Sequence, residues 1–357
     1  MINFTVGPVQ MFDKTLGIGS EQIPYFRTEE FSRIMFENEE FFLKLLNAPK
    51  DSKAVFVTGS GTASMEAVVM NCLDKKDKCI VVNGGSFGER FSHMLQIHGI
   101  KHDEIRVAFG SELSKDDLTP FENKGYTAFL RNMHETSVGR LYNLKVVSEF
   151  CNQNKCKLIV DAISSFLTDE IDMEKDNIDV LISGSQKALA CAPGVSMIAI
   201  SPTMLQRMKD VESGCMYLNL RDALRNAERG QTPFTPAVGT LLQIHERFKG
   251  ILENGGVKTE ILRTKGIADD FRARISKLPF EITSKSLSNA LTPLHPTSVS
   301  AYELFEILKN KYGIWVCPNG GELRDYIFRV GHMGNLTVED NITLVKALGD
   351  LTVGKER

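Results

Sequence analysis

The stretch "LISGSQKALACAPG", residues 181–194, decides how this chain folds and where its chemistry sits. Val180, Leu181 and Ile182 give way to Ser183, Gly184, Ser185 and Gln186, and then Lys187 stands among small neutral residues. A lysine is ordinarily a solvated surface charge. This one has no charged neighbour between Asp179 and Arg207. A short, wholly apolar run that stops at Ser and Gly reads as a strand buried on both faces that ends in a loop.

The same texture spreads outward from it. Strand-like runs recur at "AVFVTG" (54–59), "CIVVNG" (79–84), "EIRVAF" (104–109), "TAFLRN" (127–132), "KLIVDA" (157–162), "DVLISG" (179–184) and "SMIAIS" (196–201). Helical periodicity fills most of the gaps, as in Met65, Val68, Val69 and Cys72. Strands alternating with helices predict an α/β fold, with a large domain built on a mostly parallel central sheet flanked by helices. From about residue 256 the texture changes to helices with short strands, "FEIT", "GIWVC" and "YIFRVG", which predicts a smaller C-terminal α+β domain. The expected division is an N-terminal segment, 1–20, packing with the small domain, a large domain over 21–255, and the small domain over 256–357. A helix from Pro236 to Glu253 would connect the two.

Composition narrows the function. The chain has 357 residues, 42% hydrophobic and 24% charged, with a net charge of −3, which offers no basic footprint for nucleic acid or an anionic membrane. Seven cysteines lie scattered without a CxxC pair, which speaks against zinc and against a disulfide framework and fits a reducing cytoplasm. The seven histidines show no HxxxH or HExxH spacing, so no metal site is expected. The start, "MINFTVGPVQMF", lacks the basic and apolar regions of a signal peptide. No apolar run approaches the roughly 20 residues that span a bilayer.

In a parallel sheet, ligands sit beyond the carboxyl ends of the strands. The residues there are Gly59 to Thr62, Asn83 to Phe87, His134 to Thr136, Asp161, and Ser183 to Lys187. "TGSGTASMEA" is glycine-rich and opens a helix, where backbone N–H groups hold phosphate. It is no dinucleotide fingerprint, because the sixth position is Ser64 and the next strand ends in Asn83, and the chain has no GxxxxGK[ST] loop. Asp161 ends the apolar strand "KLIV", either as a turn residue or as a carboxylate that keeps a ring nitrogen protonated. Consecutive strands in such sheets are usually neighbours, so Asp161 and Lys187 are expected to face one cofactor from adjacent strand ends. A lysine among small neutral residues is desolvated, its pKa falls, and its amine becomes a nucleophile. A lysine Schiff base, an Asp on a pyridinium nitrogen and a phosphate on a helix N-terminus describe pyridoxal 5'-phosphate. Phe87 in "NGGSFGER" is placed to stack on its ring.

With these residues in view, "SGSQKAL", "HETSVG", "VDAISS", "NGGSFGER", "TPFTPAV" and "FRVGHMG" resemble the class V, fold-type I pyridoxal-phosphate aminotransferases, and within them the alanine/serine–glyoxylate (serine–pyruvate) group. The motifs run in family order from residue 58 to 334. The resemblance implies Lys187 as the Schiff-base lysine, Asp161 as partner of the ring nitrogen and Phe87 as the stacker. It implies Thr136 near the ring hydroxyl, and Ser60, Gly61, Thr62 and Gln186 around the phosphate. It further implies that Thr235 reaches the phosphate of a neighbouring subunit, making a homodimer with active sites at the interface. Arg329 would grip the substrate carboxylate, since a guanidinium meets a carboxylate with two parallel hydrogen bonds. The implied reaction moves an amino group from alanine or serine to a 2-oxo acid such as glyoxylate or pyruvate. A 2-aminoethylphosphonate–pyruvate transaminase, a cysteine desulfurase-like lyase using Cys317, and a catalytically silent binding protein are the alternatives. Three departures stand out: Ala192 stands where the first of two prolines is common, the N-terminal turn reads "FTVGPVQMF", and "SEQIPYFRTEEF" keeps only Arg27 of a His-Arg segment; the two N-terminal ones lie where substrate side groups would be sensed.

Overall fold

A computed structural model describes residues 1–109 and 111–352, so the last five residues of the expected small domain lie outside the described residues. The strands in chain order are β1 (Ile2–Phe4), β2 (Lys53–Thr58), β3 (Lys78–Asn83), β4 (Lys101–Arg106), β5 (Ala128–Asn132), β6 (His134–Glu135) and β7 (Arg140–Leu141). They continue with β8 (Lys157–Asp161), β9 (Val180–Gly184), β10 (Val195–Ile200), β11 (Phe280–Ile282), β12 (Leu291–Pro296), β13 (Ile314–Pro318) and β14 (Phe328–Gly331).

A seven-stranded sheet has the order β2-β10-β9-β8-β5-β3-β4. The pairs β3/β4, β3/β5, β5/β8 and β8/β9 are parallel, and β10 alone runs against its two neighbours. The unbroken apolar runs follow from cover on both faces. Alternate residues of one strand enter different cores: Leu158, Val160 and Leu181 pack on one side, Ile159, Val180 and Ile182 on the other. Because β2, β3, β5, β8 and β9 run the same way, Thr58, Asn83, Asn132, Asp161 and Gly184 all finish at one edge of the sheet.

A five-stranded sheet, β1-β13-β14-β12-β11, carries the C-terminal part of the chain and takes in the N-terminal strand. A third core lies between it and the helices Gly256–Ile275 and Val338–Thr352, centred on Phe271, Phe328, Leu344 and Leu348.

Several elements differ from the sequence expectation. The strand expected at 104–109 lies at Lys101–Arg106. It is a sheet edge with alternating exposure, so most of its residues are polar and the apolar letters begin only as it ends. β12 was not expected at all, because Pro293 and Pro296 hide it. The helix expected from Pro236 begins at Val238.

Candidate active site

β8 pairs with β9, with Asp161 opposite Ile182, and the loop after β9 turns Lys187 into the protein. Lys187 is buried, and its Nζ donates a 2.6 Å hydrogen bond to the backbone carbonyl of Val6. Val9 N donates to the Gln186 carbonyl at 3.2 Å, so residues 6–9 form a strap across the lysine loop. The strap passes close: Gly7 has φ +133°, and a Cβ there would meet Lys187 Cδ at 2.8 Å. Burial, reinforced by the cations Arg329 and Arg90 and opposed by Cys317 and Asp161, lowers the Lys187 pKa from 10.5 to about 8. An amine so tuned is partly free at neutral pH.

Asp161 is also buried, and one of its carboxylate oxygens accepts from Ile163 N at 2.9 Å. Burial, with the nearby Glu135 carboxylate, raises its pKa to about 6, against the lowering effects of the Ile163 N–H, Lys187 and Arg90. Glu135, fully buried, organises the "NGGSFGER" loop. It accepts from Phe87 N (3.3 Å), Gly88 N (2.9 Å), Asn132 Nδ2 (2.8 Å) and Ser137 Oγ (2.5 Å). The loop needs Gly85 because a Cβ there would lie 2.4 Å from Ser137 Oγ and 2.7 Å from Glu135 Cδ. Phe87 thus stands at the head of the helix Gly88–Ile97, half-buried, with the Arg90 guanidinium 4.5 Å from its ring centre. Arg90 reaches on to Thr62, donating to Oγ1 at 3.1 Å. Thr62 belongs to the first turn of the helix Gly61–Cys72, whose exposed N-cap, Ser60, makes no side-chain capping bond. That helix therefore begins with backbone N–H groups uncapped by a side chain, close to a cation.

On the other side stands β14. Arg329 is buried, donates to the carbonyls of Thr136 (3.1 Å) and Pro318 (2.7 Å), and leaves its Nε without a partner. Burial lowers its pKa. Thr136 donates through Oγ1 to Ser164 Oγ at 2.8 Å. Next to it, His134 is buried with neither ring nitrogen partnered. Burial and the charges of Lys187, Arg329 and Arg272 push its pKa down to about 3, so it is neutral at working pH.

The structure thus gathers Lys187, Asp161, Phe87, Thr136 and Arg329 about one site, linked through Arg90 to Thr62, Ser60 and Gly61, with Gln186 next to the lysine. Thr235 differs: it is exposed and lines a surface recess with Tyr217 and Phe234. Arg27 is occupied in holding the preceding loop, donating to Gln231 Oε1 (3.0 Å) and the Thr232 carbonyl (2.9 Å). Arg90, Glu135, His134 and the Val6–Gly7 strap are contacts that sequence reasoning missed. His134 and Glu135 carried a signal, since they follow a strand end, but nothing in the sequence revealed their partners. Among the described residues no cluster suits a metal ion, and no helix is long and apolar enough to cross a membrane.

These residues fit pyridoxal phosphate. Lys187 and Asp161 are buried ionisable groups whose side-chain hydrogen bonds go to neutral backbone groups rather than to a counter-ion, a costly arrangement unless a ligand engages both. A ring with an aldehyde at one position, a basic nitrogen at another and a phosphate for the helix N-terminus does so. A lysine and an aspartate at neighbouring strand ends of this sheet define a fold-type I pyridoxal-phosphate enzyme. Residues 22–318 match the family described as aminotransferase class-V, and the chain belongs to that family. An uncharacterized aminotransferase of Methanocaldococcus jannaschii is 28% identical over 92% of this chain and 86% of its own length. The alanine–glyoxylate aminotransferase of Oryctolagus cuniculus is 24% identical, covering 94% and 88%. The crystal structure of alanine–glyoxylate aminotransferase from Nostoc sp. superposes with a TM-score of 0.92 at 23% identity, covering 98% and 94%. The protein is a pyridoxal-phosphate-dependent aminotransferase of this class.

Proposed function

We propose that the enzyme transfers the amino group of a small amino acid of the alanine or serine type to a 2-oxo acid such as glyoxylate or pyruvate, with the cofactor held on Lys187. The observation that carries this reading is the placement of one buried guanidinium, Arg329, with an unpartnered Nε, beside a buried lysine amine lowered to about 8. The guanidinium takes the α-carboxylate of donor and acceptor in turn. Lys187, hydrogen-bonded to the Val6 carbonyl, would take up the α-proton of the donor in the first half-reaction and deliver a proton to the α-carbon of the acceptor in the second. Asp161 keeps a negative charge where the ring nitrogen would lie, and Thr136 offers a hydroxyl alongside. Phe87 closes one face. Ser60, Gly61, Thr62 and Gln186 would receive the phosphate. Pyridoxal phosphate, when bound, supplies the electron-withdrawing ring that takes up charge from the substrate carbon.

In this reading the exposed Thr235 serves the active site of a second copy, and the working unit is a homodimer. The division into an N-terminal segment (1–20), a large domain (21–255) and a small domain (256–357) belongs to the same proposal. So does a cytoplasmic location, supported by seven free thiols. The test is a donor panel of alanine, serine, aspartate and 2-aminoethylphosphonate with pyruvate and glyoxylate, each half-reaction followed by cofactor absorbance in single turnovers. Conversion with alanine or serine is the expected result. Turnover with the phosphonate alone, or sulfide release from cysteine without transamination, would replace this reading.

A further inference from the structure

Cys317 lies far in sequence from Lys187, Asp161 and Phe87, yet the fold delivers it to their site. β13 and β14 are antiparallel, and their register sets Cys317 directly opposite Arg329. Residues opposite each other in such a pair project to the same face, with their Cβ atoms about 5 Å apart. The Cys317 thiol accordingly lies against the Arg329 guanidinium and is among the groups that act electrostatically on Lys187. It is partly accessible, whereas Cys72, Cys79, Cys151, Cys156 and Cys191 are buried. A second, independent feature points to a ligand at the same place. Arg329 is nine-tenths buried and its Nε has no partner. A buried guanidinium with an unused donor calls for an anion.

We propose that Cys317 forms a wall of the carboxylate subsite with Arg329, so that a bound small acid shields its thiol and an anionic electrophile is delivered to it by the guanidinium. This rests on the reading of Arg329 as the carboxylate holder. The matching ligands are two- and three-carbon 2-oxo acids, and the matching probe is an α-haloacid. With iodoacetate the sulfur attacks the methylene carbon. A C–S bond forms, the C–I bond breaks, iodide leaves, and the thiol proton passes to solvent.

The experiment uses the holoenzyme in the pyridoxal-phosphate form, with alkylation followed peptide by peptide by mass spectrometry. Cys215, partly accessible through a different loop, is the internal control. Iodoacetate should outpace neutral iodoacetamide at Cys317 but not at Cys215. Saturating pyruvate, its binding verified by calorimetry, should slow labelling of Cys317 at least about tenfold, by simple occupancy. Arg329→Gln should remove the advantage of iodoacetate, roughly tenfold or more, as expected for a lost charge-assisted pair. Arg329→Lys, which keeps the charge, covers the case in which the glutamine variant fails to fold. Cys317→Ser should abolish the label while the cofactor absorbance stays. Unchanged labelling of Cys317 under proven pyruvate saturation overturns the proposal. If pyruvate binds the glutamine variant normally and still shields Cys317, the thiol stands in the subsite and Arg329 is not the carboxylate holder.

Discussion

Replacing Asp161 by Asn should stabilise the cofactor-free protein while weakening the loaded one. Asp161 has an ordinary pKa near 3.8, which burial in this site raises to about 6. The folded state then holds the carboxyl proton more tightly than the unfolded chain does. The destabilisation is absent below pH 4, grows as the pH climbs from about 4 to 6, and is complete above that window. Its full size is roughly 3 kcal/mol, from the conversion of a pKa change into free energy. Asn removes the charge and keeps an oxygen for Ile163 N, but it adds an amide N–H without a settled acceptor, worth about 1–2 kcal/mol. The cofactor-free variant should therefore exceed the wild type by about 1–2 kcal/mol at pH 8 and lose that lead by pH 4.5. Urea unfolding of both cofactor-free proteins at the two pH values measures it. Addition of pyridoxal phosphate should then stabilise the wild type more than the variant, since tighter binding to the folded state gives the larger shift. Transamination by the variant should fall by orders of magnitude. A variant that is less stable than the wild type at pH 8, by the same margin as at pH 4.5, would refute the argument that burial of this charge is what the fold sustains for the cofactor.

Three further outcomes are expected. In the cofactor-free protein, acylation of Lys187 should titrate with a midpoint near pH 8, well below surface lysines, and borohydride reduction of the loaded protein should leave the adduct on Lys187. A midpoint near 10.5 would mean that the site is wetter than the structure shows. Arg329→Ala should retain the cofactor spectrum and lose roughly 30- to several-thousand-fold in kcat/KM with every carboxylate substrate, the equivalent of about 2–5 kcal/mol for a severed buried charge pair. Loss in neither half-reaction would move the anion site elsewhere. Gly7→Ala should cost about 1–3 kcal/mol of stability from the clash with Lys187 and shift the cofactor absorbance, whereas Gly17→Ala, with open space around its Cβ, should do neither.

Much of the site was readable because it hangs on local rules. Lys187 stood out by the absence of charge around it. Its partnership with Asp161 followed from the habit of consecutive parallel strands to lie side by side, and β8 and β9 do so. Phe87 and Thr136 came with motifs that end strands. What stayed hidden depends on strand register and on how turns close, not on local composition. Cys317 meets Arg329 only through the register of β13 on β14, which no periodicity reveals. Glu135 reads as an ordinary charged letter, and its bonds to Phe87 N and Gly88 N emerge only when the Gly85–Gly88 turn folds onto it. β12 was masked by its prolines, and β4 by the polar letters that a sheet edge tolerates.

The N-terminal strap is the least legible part and the one that sets the geometry of the whole site. β1 pairs in parallel with β13, so the chain starts on the sheet that carries Arg329. It then crosses to the other sheet, where the Val6 carbonyl takes the Lys187 amine and Val9 N meets the Gln186 carbonyl, and it returns at Gln10 to exchange hydrogen bonds with Asn335 just beyond β14. Val6 and Lys187 are separated by 181 positions in sequence, so no local pattern could announce the contact. Physically, the strap is a short tether sewn to both sides. A movement that carried β14 away from the end of β9 would have to break the pair of bonds on one side or the pair on the other, each bond worth about 1 kcal/mol net. The distance between the Arg329 guanidinium and the Lys187 amine is thereby constrained before a ligand arrives, which matters if they hold the carboxylate and move the proton as proposed. A fixed span of that kind favours acids whose carboxylate and reacting carbon are directly bonded, because catalysis rewards groups already held in the reacting geometry.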